Sequence, residues 1–108
     1  MRFHDRFEWD AEKARRNARK HRVTFEDAAR VLGDEDADRY HIDDYDDAHS
    51  TDEERWVTTA SHPDDRRIVL RVVWTERNTD EGRVTRIIGA RAAKPKERSI
   101  YGAEIAKK

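Results

Sequence analysis

The chain has 108 residues, of which 35% are hydrophobic and 44% charged, with no cysteine. That length suits one compact domain with a thin core, and the composition excludes a membrane-spanning helix, disulfides, cysteine nucleophiles and cysteine-ligated metals. The formal net charge of -1 hides a segregation: residues 34–54 carry eleven Asp or Glu against one Arg, while the flanking segments together carry an excess of +9. Basic flanks of this kind suit a polyanion, because phosphate fields act over about a Debye length, roughly 8–10 Å. An N-terminus reading Met1-Arg2-Phe3-His4-Asp5 lacks the apolar stretch of a signal peptide, so a cytoplasmic protein is expected.

In chain order, Arg6-Phe7-Glu8-Trp9 alternates like a short strand, and Asp10 is a helix N-cap. Residues 11–21 are rich in helix formers, with an apolar stripe of only Ala11, Ala14 and Ala18, so this helix should show water a basic face. Thr24 and Asp27 stand at capping-box spacing before Phe25, Ala28, Ala29 and Leu32, and Gly33 closes this second helix. The acidic segment that follows should be an ordered loop with a short strand, anchored by Tyr40, Ile42 and Tyr45.

Three runs rich in Val, Ile, Thr and Trp come next, residues 55–61, 67–77 and 83–91. Their short turn segments predict an antiparallel meander. In the middle run Ile68, Leu70, Val72 and Trp74 share one face, and Arg67, Val69, Arg71, Val73 and Thr75 the other. One face should pack on helices while the other presents arginines. Pro95 suits the first position of a last helix ending near Ile105. The expected fold is therefore α+β: a short N-terminal strand, two helices, three main antiparallel strands and a C-terminal helix in a single domain spanning 1–108.

Motif tests remove most chemistries. Asp34, Asp36 and Asp38 resemble a calcium loop, but Arg39 and Tyr45 stand where Gly and Glu are required. His41 and His49 lack any tight metal-ligand spacing and read more simply as structural or exposed histidines. No nucleotide-binding glycine loop or nucleophile elbow is present. Arginines on a sheet beside spare acid–base groups suit RNA cleavage with no metal or other cofactor. That reaction needs a base for the 2′-OH, a cation for the phosphorane and an acid for the leaving oxygen. His21, Glu54 and Tyr101 are candidates for proton transfer, and Arg55 and Arg91 for the phosphate clamp. Lys20, Arg71, Arg77, Arg86 and Arg98 are candidate RNA contacts.

Several blocks resemble one family. They are Trp9-Asp10, Lys13, Asn17, Lys20-His21, Val23, Thr24-Phe25-Glu26, Ala28 and Val31, then His49-Ser50, Glu53-Glu54-Arg55 and Thr75-Glu76-Arg77. Arg86-Ile87-Ile88, Ala90-Arg91, Glu97-Arg98 and Tyr101 complete the series. Their order and spacing resemble the BrnT toxins of type II toxin–antitoxin systems. The sequence departs from the family pattern at Arg22, at Ala60-Ser61 and at Gly89. The resemblance implies a RelE-like fold, an endoribonuclease that inhibits translation, and a cognate ribbon-helix-helix antitoxin (BrnA-like) in a hetero-oligomer. DNA would then be met only through the antitoxin, and no membrane is involved. The alternative is a non-catalytic partner that binds the antitoxin and tunes its operator binding. Among the matched residues, Trp9, Phe25, Ile87 and Ile88 are expected in the core.

Overall fold

The computed structural model describes residues 6–51 and 53–108. A five-stranded sheet has the order β1-β5-β4-β3-β2, with β1 at Phe7–Glu8, β2 at Ile42–Tyr45, β3 at Trp56–His62, β4 at Asp65–Thr79 and β5 at Gly82–Ala92. Strands β3 to β5 pair antiparallel, as the meander predicts; β2 adds antiparallel to β3, and β1 joins β5 in parallel. The helices are α1 (Ala11–His21), α2 (Phe25–Leu32), α3 (Ala37–Tyr40) and α4 (Pro95–Ala106). The class is the α+β arrangement expected, with α3 and the parallel pairing of β1 as additions that local pattern does not encode.

The local signals act as their chemistry dictates. The Asp10 carboxylate accepts the Lys13 N–H at 2.8 Å, and the Thr24 hydroxyl accepts the Asp27 N–H at 3.1 Å, so both helices open on real caps. Between them Arg22 terminates α1 with φ 59°, the one positive-φ residue other than glycine among those described. Phe25, Ala28, Val31 and Leu32 of α2 are buried against Ala60, Leu70, Val72, Ile87 and Ala90 of the sheet, which forms the main core. Trp9 packs edge-on to Phe25 with ring centroids 6.1 Å apart. Ile88 is only half-buried, because the register of β5 on β4 shifts at this point and makes it an extra residue.

The acidic segment docks through its few non-acidic and its buried groups. Asp34, only 4% exposed, takes an Arg66 N–H at 2.6 Å, and the Arg66 guanidinium also lies 3.6 Å over the Tyr40 ring. The His41 ring nitrogen Nε2 donates to the Val31 carbonyl at 2.7 Å, ending α3 against the C-terminal turn of α2. From there β2 runs as the sheet edge, and Thr58 donates to Asp43 at 2.6 Å. A row of Tyr45, Trp56 and Trp74 crosses three strands on the helix-covered face.

The expected division of β4 into an apolar and an arginine face needs correction. Ile68 is exposed, whereas Val69, on the arginine side, is buried with Ala93 and Tyr101. The reason is α4, which crosses the second face at its β2 end and supplies the cover that periodicity alone assigns to solvent. Thr75 is also buried, its hydroxyl donating to the Glu54 carbonyl at 2.5 Å. The remainder of this face stays open.

Candidate active site

The open part of the second sheet face is a cleft whose floor is fixed by strand register. Ile42, Thr59, Arg71 and Arg91 form one cross-strand row, and Asp44, Val57, Val73 and Gly89 form the next. The cleft encloses about 460 Å³ over the second row. One wall is the C-terminal end of α1, with Asn17 and His21; the opposite wall is the short 3-10 turn Asp47–His49, with Asp46 before it. Arg71 and Arg91 close the end nearest α4.

Asn17 explains how His21 comes to this rim. Its amide nitrogen donates to the carbonyls of Val23, at 3.0 Å, and Ala90, at 2.8 Å, while its oxygen accepts the Ala90 N–H at 3.2 Å. A single side chain thus pairs an otherwise free stretch of the β5 edge and welds α1 to it. His21, on the next turn of the same helix, is half-buried at the cleft mouth.

The facing wall is built by a small polar turn. The Ser50 hydroxyl donates to the Asp46 carbonyl at 2.5 Å and accepts the Arg55 N–H at 3.0 Å, tying the turn to the start of β3. Within it, His49 Nδ1 sits 3.0 and 3.1 Å from the two carboxylate oxygens of Asp46. Donation from Nδ1 to that carboxylate leaves Nε2 as the proton acceptor, the tautomer a general base requires.

The arginine end carries its own counter-charge. The Arg91 guanidinium grips Glu97 with two bonds of 2.7 and 2.8 Å, and Arg71 Nε lies 3.4 Å from the same carboxylate. Glu97 also accepts the Lys94 N–H at 2.8 Å, closing the first turn of α4. The Arg91 hydrogen bond, with help from the Lys94 N–H and Arg71, outweighs partial burial and pulls the Glu97 pKa from 4.5 down to about 2. The pair of arginines and one carboxylate therefore holds a net positive charge at neutral pH.

Of the residues predicted from sequence, the fold brings His21, Arg71 and Arg91 into one cleft. Glu54 and Arg77 lie elsewhere, lining a separate hollow of about 400 Å³ beside Trp56 and Glu76. Arg77 and Arg86 both bind Glu8, at 2.7 and 2.6 Å, and Arg86 above all holds that carboxylate below its usual range. Arg55 borders another hollow with the outer side of His49. Lys20 is exposed on α1, and Arg98 reaches the Arg67 carbonyl at 3.0 Å, near the start of β4. Tyr101 adjoins the cleft, lining a small hollow with Thr59, Arg71 and Asp44, but it is 8% exposed, and its hydroxyl donates to the Tyr40 carbonyl at 2.6 Å while accepting the Ser61 N–H at 3.1 Å. These two bonds pack α4 onto the sheet and against the end of α3.

Sequence reasoning passed over His49, Asp46, Asp44 and Glu97 as site residues. The available signals were the three-residue spacing of Asp46 and His49, which a helical turn brings together, and the matched pairs His49-Ser50 and Glu97-Arg98.

A family model described as "Ribonuclease toxin, BrnT, of type II toxin-antitoxin system" matches residues 9–97, from Trp9 just before the α1 cap to Glu97 of the arginine cluster. The chain belongs to the BrnT family. No curated protein matches it. The matched stretch includes every wall of the cleft, so the BrnT assignment and the cleft geometry concern the same part of the molecule. Membership in a type II toxin–antitoxin family makes an antitoxin the partner of this BrnT chain. Among the described residues no helix is long and apolar enough to cross a membrane.

Proposed function

We propose that this BrnT chain is an endoribonuclease that cleaves RNA in the cleft by metal-free transesterification. In this reading it acts in the cytoplasm as a single-domain toxin that lowers translation until a cognate ribbon-helix-helix antitoxin covers the cleft. The observation that carries the reading is the meeting of two imidazoles, His21 and His49, from opposite walls beside an arginine pair. His49, oriented by Asp46, takes the proton from a ribose 2′-OH at Nε2. The 2′-oxygen then attacks phosphorus, the bond from phosphorus to the 5′-oxygen breaks, and protonated His21 delivers a proton to that leaving oxygen. The products are a 2′,3′-cyclic phosphate and a 5′-hydroxyl.

Arg71 and Arg91 face the non-bridging oxygens, where planar guanidinium groups with several donors match developing negative charge. Glu97 bridges the two guanidiniums and offsets part of their mutual repulsion. Lys20, Arg55, Arg77, Arg86 and Arg98 lie outside the cleft and serve RNA binding over a longer path. Glu54 and Tyr101 take no proton in this scheme, because one lines a different hollow and the other has its hydroxyl engaged.

The test is single-turnover cleavage of a labelled RNA by the parent and by His21→Ala, His49→Ala and Arg91→Lys, with and without EDTA. Each histidine variant should lose about 10²–10⁴ in rate. Arg91→Lys should lose on the order of 10²-fold, as a point charge replaces a two-pronged contact, while Arg83→Lys on the same strand stays near the parent. EDTA should change nothing. A parent protein that leaves RNA intact yet binds its antitoxin would favour the non-catalytic partner reading.

A further inference from the structure

The cleft contains one carboxylate that the acid–base chemistry does not use. Asp44 stands at the β2 end of the floor row Asp44, Val57, Val73 and Gly89, and it lines the same cavity as His21 and His49. Its side chain is exposed and forms no ion pair or hydrogen bond with any described residue. Asp46, by contrast, is committed to His49, and Glu97 to Arg91. A free carboxylate in a cleft that admits phosphates repels the backbone it must receive. It is compatible with RNA only where it meets hydrogen-bond donors, which RNA carries at its 2′-hydroxyls and on its base edges, and of these only the base edges distinguish one nucleotide from another.

The floor beside Asp44 suits a flat ring. Half-buried Val73 supplies apolar surface, the largely buried Val57 adds a strip beside it, and Gly89 has no side chain to rise above them. A Cβ placed on Gly89 would have Asn17 Oδ1 as its nearest neighbour at 3.9 Å, so the space above that position is open. A base lying on Val57 and Val73 would turn its edge toward Asp44 and its sugar toward the two histidines.

We infer that Asp44 reads the Watson–Crick edge of a guanine next to the scissile phosphate, making this a guanine-selective cleft. Guanine offers N1–H and N2–H side by side, at a spacing that matches the two oxygens of a carboxylate. Adenine and cytosine present only an amino group beside an acceptor, and uracil presents one N–H between two carbonyls that a carboxylate repels. This inference rests on the proposed binding of RNA in the cleft, but not on the cleavage chemistry.

The experiment separates the two. Binding of four pentanucleotides, UUNUU with N as A, C, G or U, is measured by fluorescence anisotropy, all with 2′-O-methyl riboses so that none can be cut. The parent should bind the guanine oligonucleotide about tenfold or more tightly than the others, the range a two-bond base contact supports. Asp44→Asn places an amino group against guanine's donors and should remove that preference. Asp44→Ala should also remove it, while binding all four at least as tightly as the parent binds the weakest. Equal binding of the four by the parent, an unchanged preference in both variants, or a uniform loss across all four would overturn the inference. Cleavage of the matching unmethylated RNAs is scored separately: guanine-selective binding without any cleavage would sink the ribonuclease reading and leave the base reading standing.

Discussion

Replacing Glu97 by Gln removes one negative charge from a site where two arginines converge, and its effect on stability has a calculable pH dependence. The Glu97 pKa lies at about 2 in the folded protein against an ordinary 4.5. A difference of that size corresponds to at most about 3.4 kcal/mol favouring the folded state at neutral pH. The side chain is 24% exposed, so water screens part of this, and about 2–3 kcal/mol is the expected contribution. Because the folded pKa is depressed, the stabilisation is fully present above the unfolded value of 4.5 and disappears as pH falls through about 2. At pH 3 roughly 1.4 kcal/mol of the upper figure should remain.

Glutamine retains an oxygen that can accept the Lys94 N–H, so the start of α4 keeps its cap and the comparison isolates the charge. The assay is urea unfolding of parent and Glu97→Gln at pH 7, 5, 4 and 3. Glu8, Asp34, Asp64 and Asp65 also have depressed pKa values, so each protein alone will weaken in acid. The gap between the two proteins is therefore the informative quantity. It should be level from pH 7 to pH 5 and shrink below that. A gap that stays constant down to pH 3 would show that Glu97 acts by shape or capping and that its ion pairs contribute nothing net.

Arg22 ends α1 in the left-handed region, where a Cβ costs about 1–2 kcal/mol relative to glycine, so Arg22→Gly should stabilise by roughly 0.5–1 kcal/mol and raise the melting temperature. A lower melting temperature would mean that the arginine side chain contributes more than its backbone costs. Asn17→Ala should cost about 2–4 kcal/mol, since three hydrogen bonds vanish and leave Ala90 and Val23 groups unpaired at the sheet edge. Hydrogen exchange should report the loss locally, at the Ala90 N–H and the last turn of α1. Protection unchanged at Ala90 would remove Asn17 from the role of staple.

Periodicity and caps make most of the fold legible in the sequence. Asp10 and Thr24 mark helix starts because a side-chain oxygen satisfies amides that the helix leaves open, and that chemistry acts within four residues. The Val- and Ile-rich runs become β3, β4 and β5 because their alternation is a local property, and the two-residue turns Pro63-Asp64 and Asp80-Glu81 leave only antiparallel pairing open. His21, Arg71 and Arg91 were legible as candidates because they are charged or titratable groups at the ends or on one face of such elements, and the fold gathers all three in one cleft.

What the tertiary structure alone decides is which of these groups meet. Tyr101 and Arg91 lie only ten positions apart and both read from sequence as candidates for one site, yet α4 buries the phenol on Tyr40 and Ser61 while Glu97 of the same helix secures the guanidinium. His49 is an unremarkable residue in an acidic segment until Ser50 ties its turn to β3 and sets it across a cleft from His21. Val69 reads as solvent-facing until α4 covers it. Local pattern records the forces between near neighbours in the chain, whereas these placements depend on contacts between segments tens of residues apart, and only the folded packing brings those segments together.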